Sequence, residues 1–278
     1  MRKMISVIAA LSLALSLAAC GSAGSSSAPA AGSASGSTAA SASASGSAAS
    51  DNVLTVAMEC AYAPYNWTQP DDSNGAVPIK DSSDYAYGYD VMMAKKIAEE
   101  LGMELEIVKL DWDSLVPAVQ SGTVDCVIAG QSITSERLQS VDFTDPYYYP
   151  TIVTLTKADS PYASAKSVAD LPDANILPAQ ESAPAMLVAL NSGACDIVVT
   201  DMPTGKGAVA AYSDLVLLDF AGTDGDFEVS DEEINIGISV QKGNTELLDK
   251  LNSVLSTMTA DDFDAIMEEA ISVQPLTN

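Results

Sequence analysis

The chain contains no histidine, and basic residues are scarce: 12 lysines and arginines stand against 38 aspartates and glutamates, a formal net charge of −26. Without histidine, Ser-His-Asp and Cys-His nucleophile systems are excluded, as is every His-ligated zinc or iron site. So few cations cannot form the clusters that phosphate binding needs, which argues against nucleic acid and anionic lipid as partners. A cationic ligand is one reading of the acidic excess, and a well-solvated surface is the simpler one. Cysteine is sparse too. Beyond Cys20 there are Cys60, Cys126 and Cys195, an odd number without CxxC spacing, in strand-like surroundings where buried thiols are expected. Export would permit one disulfide, and the sequence does not choose the pair.

Long apolar runs are absent after the first twenty residues. There, Arg2 and Lys3 precede an apolar stretch over 5–19, too short to span a bilayer stably, so 1–20 reads as a targeting segment outside the fold. Residues 21–50 are Ser, Ala and Gly with one Pro, one Thr and no charge, a composition that cannot bury a core. As a flexible tether they would span roughly 30 Å. Residues 51–278 are long enough for one large or two small domains.

Within that part, 121–148 is the stretch around which the chain is organised. Val124 and Cys126 to Ala129 form a short apolar run after Gly122, as in a strand covered on both faces. The chain then turns polar. Ser132, Thr134 and Ser135 are placed to cap a helix with Arg137 in its first turn, so backbone N–H groups and a guanidinium would converge on an anion, best a carboxylate. The plainer alternative is a surface Arg137 paired with a neighbouring acid.

VLTVAM (53–58) reads as a first buried strand, with Glu59 and Tyr62 at its carboxyl end, where open α/β sheets bind ligands. Tyr62 also fits a half-buried loop aromatic. Residues 66–87 form a polar stretch. An EF-hand register with Gly75 at position six puts Pro70 first and Asp81 twelfth, so calcium is rejected in favour of a turn and surface flap. Asp90 is placed to cap a helix whose apolar face is Val91, Ala94, Ile97, Ala98 and Leu101, ended by Gly102. A strand over 103–110 follows, then a helix over 114–120 capped by Asp113. Residues 114–130 and 185–201 share a helix, a Ser-Gly stop, an Asp and an apolar strand. Two α/β lobes would thus present strand ends, Gly130 and Asp201, across a cleft. Asp201 also reads as a cap for the helix beginning at Met202. Residues 151–157 and 234–240 are expected to pair as a two-stranded hinge. Helices over 245–255 and from Thr259 to 271 complete the chain.

Three stretches carry a family resemblance: AGQSITSERLQSVDFTDPYY (129–148), YGYDVMMAKKIAEELG (87–102), and LAAC at the end of the leader. The first two resemble bacterial extracellular solute-binding proteins of family 3, the polar amino-acid receptors of ABC importers. The third resembles a lipobox. The resemblance implies an α/β, periplasmic-binding-protein-like type II fold, with lobe 1 from 51–152 and 236–278 and lobe 2 from 153–235. It implies that Gly130, Ser132 and Arg137 hold a ligand carboxylate, the Arg by a bidentate fork. It further implies that Asp201 pairs with the ammonium, Tyr62 and Trp112 flank the side chain and Glu59 reads its tip. Trp112 also fits a core residue pinning its helix. The implied protein is a monomer without cofactor or metal, anchored by a lipid on Cys20 to the extracytoplasmic face and delivering an amino acid to a permease without catalysis. A small dehydratase-like enzyme and a sensory or degenerate paralogue are the alternatives. The resemblance fails over 171–185, where Pro178 interrupts the expected 174–180 strand and Glu181 and Ser182 stand in place of a Gly-Thr turn. Lobe 2 is therefore expected to lack one α/β unit and to expose apolar surface.

Overall fold

The computed structural model describes residues 52–177 and 183–275; the leader, Cys20, the 21–50 stretch, Pro178, Glu181 and Ser182 lie outside them. Strand β1 (Val53–Met58) has the expected bounds and alternates into a fully buried end. The 66–87 stretch is not a flap. After β2 (Ala61–Tyr62) it folds back as β3 (Asn66–Gln69), β4 (Val77–Pro78) and β5 (Tyr85–Tyr87), a small antiparallel sheet ordered β2-β3-β5-β4. Asn66, Trp67, Ala86 and Tyr87 are its buried residues. Its turn-rich composition hid short strands, because each is too brief to show a period of two.

Helix α1 (Tyr89–Leu101) ends at Gly102, whose φ of 66° is the left-handed conformation a helix stop favours. Gly88, not Asp90, occupies the N-cap, and Asp90 is buried in the first turn. Strand β6 (Glu104–Lys109) pairs parallel to β1. Helix α2 (Trp112–Gln120) starts two residues earlier than expected, so Asp111 is its N-cap in place of Asp113. Strand β7 (Cys126–Val127) pairs parallel to β1, and Val124 and Cys126 to Ala129 are all buried. A single 3-10 turn, Arg137–Gln139, stands where the short helix was expected, followed by β8 (Val141–Phe143).

Past that point the chain builds a second sheet. Strand β9 (Ile152–Lys157), helix α3 (Ala183–Ser192), β10 (Ile197–Asp201), α4 (Met202–Ala211) and β11 (Leu215–Leu218) give the order β10-β9-β11, all antiparallel. The strand expected at 174–180 is represented by one parallel bridge, Ile176 to Ile197. Ile176 and Val188 are 48% and 67% exposed. The short helix α5 (Asp231–Ile234) leads back to β12 (Ser239–Gln241), which lies between β7 and β8 in the five-stranded sheet β6-β1-β7-β12-β8. Helices α6 (Thr245–Leu255) and α7 (Ala260–Val273), the latter with a Thr259/Asp262 capping box, close this first lobe. Strands β9 and β12 belong to different sheets and do not pair. The two crossing segments meet instead at one bridge, where Ile236 N–H donates to Tyr148 O (2.9 Å) and Tyr147 N–H to Ile236 O (2.8 Å). The three described cysteines are buried and free.

Candidate functional site

Parallel strands β1 and β7 end side by side, and each runs directly into candidate residues. Glu59 follows β1 and is half-buried; its charge helps raise the Cys60 thiol, which burial already pushes up to about 12. At the next strand end Gly130 has φ 63°, and a Cβ there would meet the rings of Tyr62 and Tyr65 at 3.5 Å. A side chain would thus be strained by the backbone, while its Cβ would make ordinary contact with both rings. Those rings stack 4.9 Å apart at 20°.

The Tyr62 hydroxyl donates to Asp201 Oδ2 (2.7 Å), joining the two lobes. Burial first, then the Asp201 carboxylate, push the Tyr62 phenol well above its ordinary range, so it stays a neutral donor. Asp201 is buried, and it also accepts from Thr204 N–H at Oδ1 (2.9 Å) and Thr204 Oγ1 at Oδ2 (3.0 Å). It is therefore the N-cap of α4 as well as a residue of the interlobe cluster; the two readings of its sequence context are compatible.

Arg137 and Ser132 form a second group. Thr134 Oγ1 accepts from Arg137 N–H (3.2 Å), and Arg137 Nη1 donates to Ser132 O (2.8 Å). The guanidinium carbon lies 5.6 Å from the centroid of the Trp112 ring, a cation–π distance. Trp112, 38% exposed at the start of α2, is not a core residue: it carries Arg137 on its ring. Burial lowers the Arg137 pKa, and no ion pair joins it to an acid among the described residues. The charge of adjacent Glu136 acts the other way and raises it, so a neighbouring acid is sensed without an ion pair.

The Gly130 N–H donates to the Tyr147 hydroxyl (3.3 Å), and its carbonyl is an acceptor. An acceptor suits an ammonium rather than a carboxylate. Sequence reasoning also missed the aromatic cluster around this point. Tyr65 is fully buried, edge-on to Tyr89 (6.3 Å) and Tyr148 (6.2 Å), and Tyr89 stacks on Tyr147 (5.7 Å). The available signal was the density of tyrosine in YAPY, YGY and DPYYY in a chain only 6% aromatic. No group of three or more His, Cys, Asp or Glu suited to a metal is found among the described residues.

Residues 54–272 match a family model described as bacterial extracellular solute-binding proteins, family 3. The chain is 26% identical over 245 residues to the L-arginine-binding protein of Pseudomonas aeruginosa, covering 76% of this chain and 85% of that one. It is 39% identical over 85 residues to the arginine-binding extracellular protein ArtP of Bacillus subtilis, but spans only 33% of ArtP's length and uses 31% of its own. Among solved structures it is similar to an amino acid ABC transporter substrate-binding protein from Streptococcus pneumoniae bound to L-arginine. That likeness has a TM-score of 0.64 at 25% identity and covers 80% of this chain and 95% of the other. The family match over both lobes, and strand ends that bring Tyr62, Gly130 and Asp201 together, mean that this chain belongs to the bacterial extracellular solute-binding proteins of family 3.

Proposed function

We propose that the chain captures a zwitterionic amino acid between lobe 1 (51–152 and 236–278) and lobe 2 (153–235) and passes it to an ABC permease. The observation that carries this reading is the pairing of opposite charges in two prepared settings. Arg137 rests on Trp112 with no ion pair to an acid among the described residues, and Asp201 sits at the lobe junction with Tyr62. In this reading Arg137 and Ser132 take the carboxylate, Asp201 and the Gly130 carbonyl take the ammonium, Tyr62 and Trp112 flank the side chain, and Glu59 meets its tip. Two of the similar proteins are named arginine-binding and the third has L-arginine bound, which favours a cationic side chain, as the acidic Glu59 suits.

Binding without turnover is part of the reading. The phenols of Tyr62 and Tyr65, near Asp201, are held neutral by burial, so neither exchanges a proton near neutral pH. Recovery of a bound amino acid in altered form would overturn this. Titration calorimetry of the wild type against L-arginine, L-histidine and L-glutamine tests the reading directly. Arg137→Ala should cost about 2–5 kcal/mol of binding, because a ligand charge would be left unpaired. Unchanged affinity would remove Arg137 from the site. A lipid on Cys20 would hold the domain at the outer face of the membrane, with the 21–50 stretch as tether. Release of a Cys20→Ser chain into the medium is the expected result, and retention on membranes would argue against the anchor.

A further inference from the structure

Beneath the candidate site lies a carboxylate that touches none of its proposed ligand-binding residues. Asp90 is fully buried in the first turn of α1, with both oxygens used. Oδ1 accepts from the Tyr147 hydroxyl (2.7 Å), and the Tyr147 oxygen in turn accepts the Gly130 N–H (3.3 Å). Oδ2 accepts from Asn66 Nδ2 (2.7 Å), and Asn66 Oδ1 accepts the Cys60 N–H (2.7 Å). Cys60 lies between Glu59 and Tyr62 and has a positive φ of 54°, a conformation costly for a non-glycine residue unless its surroundings hold it. The two relays thus end on the backbones that follow β1 and β7, the two strand ends that form the site.

We propose that Asp90 is a positioning residue for ligand capture: through Tyr147 it fixes Gly130, and through Asn66 it fixes Cys60, so one buried carboxylate sets both strand-end loops. The polarity of the bonds supports this. A carboxylate is acceptor-only, so it obliges both the Tyr147 hydroxyl and the Asn66 amide to donate inward. The Tyr147 lone pair is then left for Gly130, and the Asn66 carbonyl for Cys60. With its N–H committed inward, Gly130 has its carbonyl left for a ligand. The proton can sit on either Asp90 oxygen, where it meets an inward-pointing donor, so both legs loosen as the two protonated forms interchange. Burial pushes the Asp90 carboxyl up to about 6, with the Tyr147 and Asn66 bonds pulling it back, so this loosening falls in an accessible range. The groups that sense the Asp90 charge are the Cys60 thiol and the phenols of Tyr62, Tyr65, Tyr89 and Tyr147. All of these are shifted upward, so of this set Asp90 alone titrates below pH 8.

The role in capture rests on the proposed function, whereas the relay itself can be read without any ligand. Full-length chain labelled with 15N at glycine and cysteine is followed by NMR from pH 7.5 to 4.5. In the wild type the Gly130 and Cys60 amides should move together in one titration. Tyr147→Phe should abolish the Gly130 movement and leave that of Cys60, and Asp90→Asn should abolish both. Independent titrations, or movement at Gly130 that survives Tyr147→Phe, would overturn the proposal, and the Tyr147→Phe arm decides even if Asp90→Asn fails to fold. L-arginine is then used as probe. Tyr147→Phe should bind it roughly tenfold more weakly, the scale of one lost hydrogen bond to a group that stays buried. Wild-type affinity should fall along the same pH curve as the amides. Unchanged affinity in Tyr147→Phe would sink the positioning role. A wild type that binds no amino acid would instead refute the proposed function, while the amide titration still decides the relay.

Discussion

Asp201 shows how one side chain serves two structures at once. Its Oδ1 caps α4 through the Thr204 N–H, and its Oδ2 faces Tyr62 across the lobes. The two roles separate by substitution, because asparagine caps a helix as well as aspartate does but carries no charge. Asp201→Asn should leave stability within about 0.5 kcal/mol of wild type while weakening amino-acid binding at least about tenfold. Asp201→Ala should lose the same affinity and in addition about 1 kcal/mol of stability from the missing cap. Urea unfolding and calorimetry on both variants check this, and wild-type affinity in the Asn variant would leave Asp201 as a cap alone. Residue identity made Asp201, Arg137 and Tyr62 legible as candidates. It could not show that the Gly130 N–H is taken by Tyr147, a residue 17 positions away that reaches it only in the folded chain.

Elements were legible where their pattern was long. The helices over 89–101, 245–255 and 260–273 each have an apolar stripe and a stop or cap, and local spacing suffices to declare them. The four short strands of 61–87 have neither. Their pairing depends on contacts such as the docking of the α1 start on the 64–65 backbone, where Tyr89 N–H donates to Pro64 O (3.0 Å) and Asp90 N–H to Tyr65 O (2.8 Å). Gly88 makes that docking possible: its φ is 126°, and a Cβ would collide with the Tyr65 carbonyl. Gly88→Ala should therefore cost at least about 2 kcal/mol, since strain and a backbone clash add. Gly193, at φ 74° with nothing within 4 Å of its would-be Cβ, pays for strain alone and should lose about 1 kcal/mol on the same change. Equal melting-temperature losses in the two variants would show that the Tyr65 contact does not matter.

The whole molecule is unequal in its two halves. The first lobe buries one continuous core running from Leu54 through Ile107 and Ile128 to Ala270, whereas the second divides its apolar residues between two small clusters around Leu190 and Phe220. Local stability follows buried apolar contact, so backbone amides of β9, β10 and β11 should exchange with deuterium faster than those of β1, β6 and β7. Uniform protection would mean that the smaller lobe draws its stability from the larger one. A saturating ligand should slow exchange in both lobes, because binding at 100 times Kd adds about 2.7 kcal/mol to the folded state. Sequence alone determined the strand β1 and the principal helices, because each is written in local periodicity and capping, and its family motifs implied the fold class. Only the tertiary structure decided that β9 and β12 part into separate sheets, that Asp90 leaves the cap to become a buried hub, and that Trp112 carries Arg137. Those outcomes are set by contacts between residues far apart in the chain, where burial and hydrogen-bond satisfaction outweigh local preference.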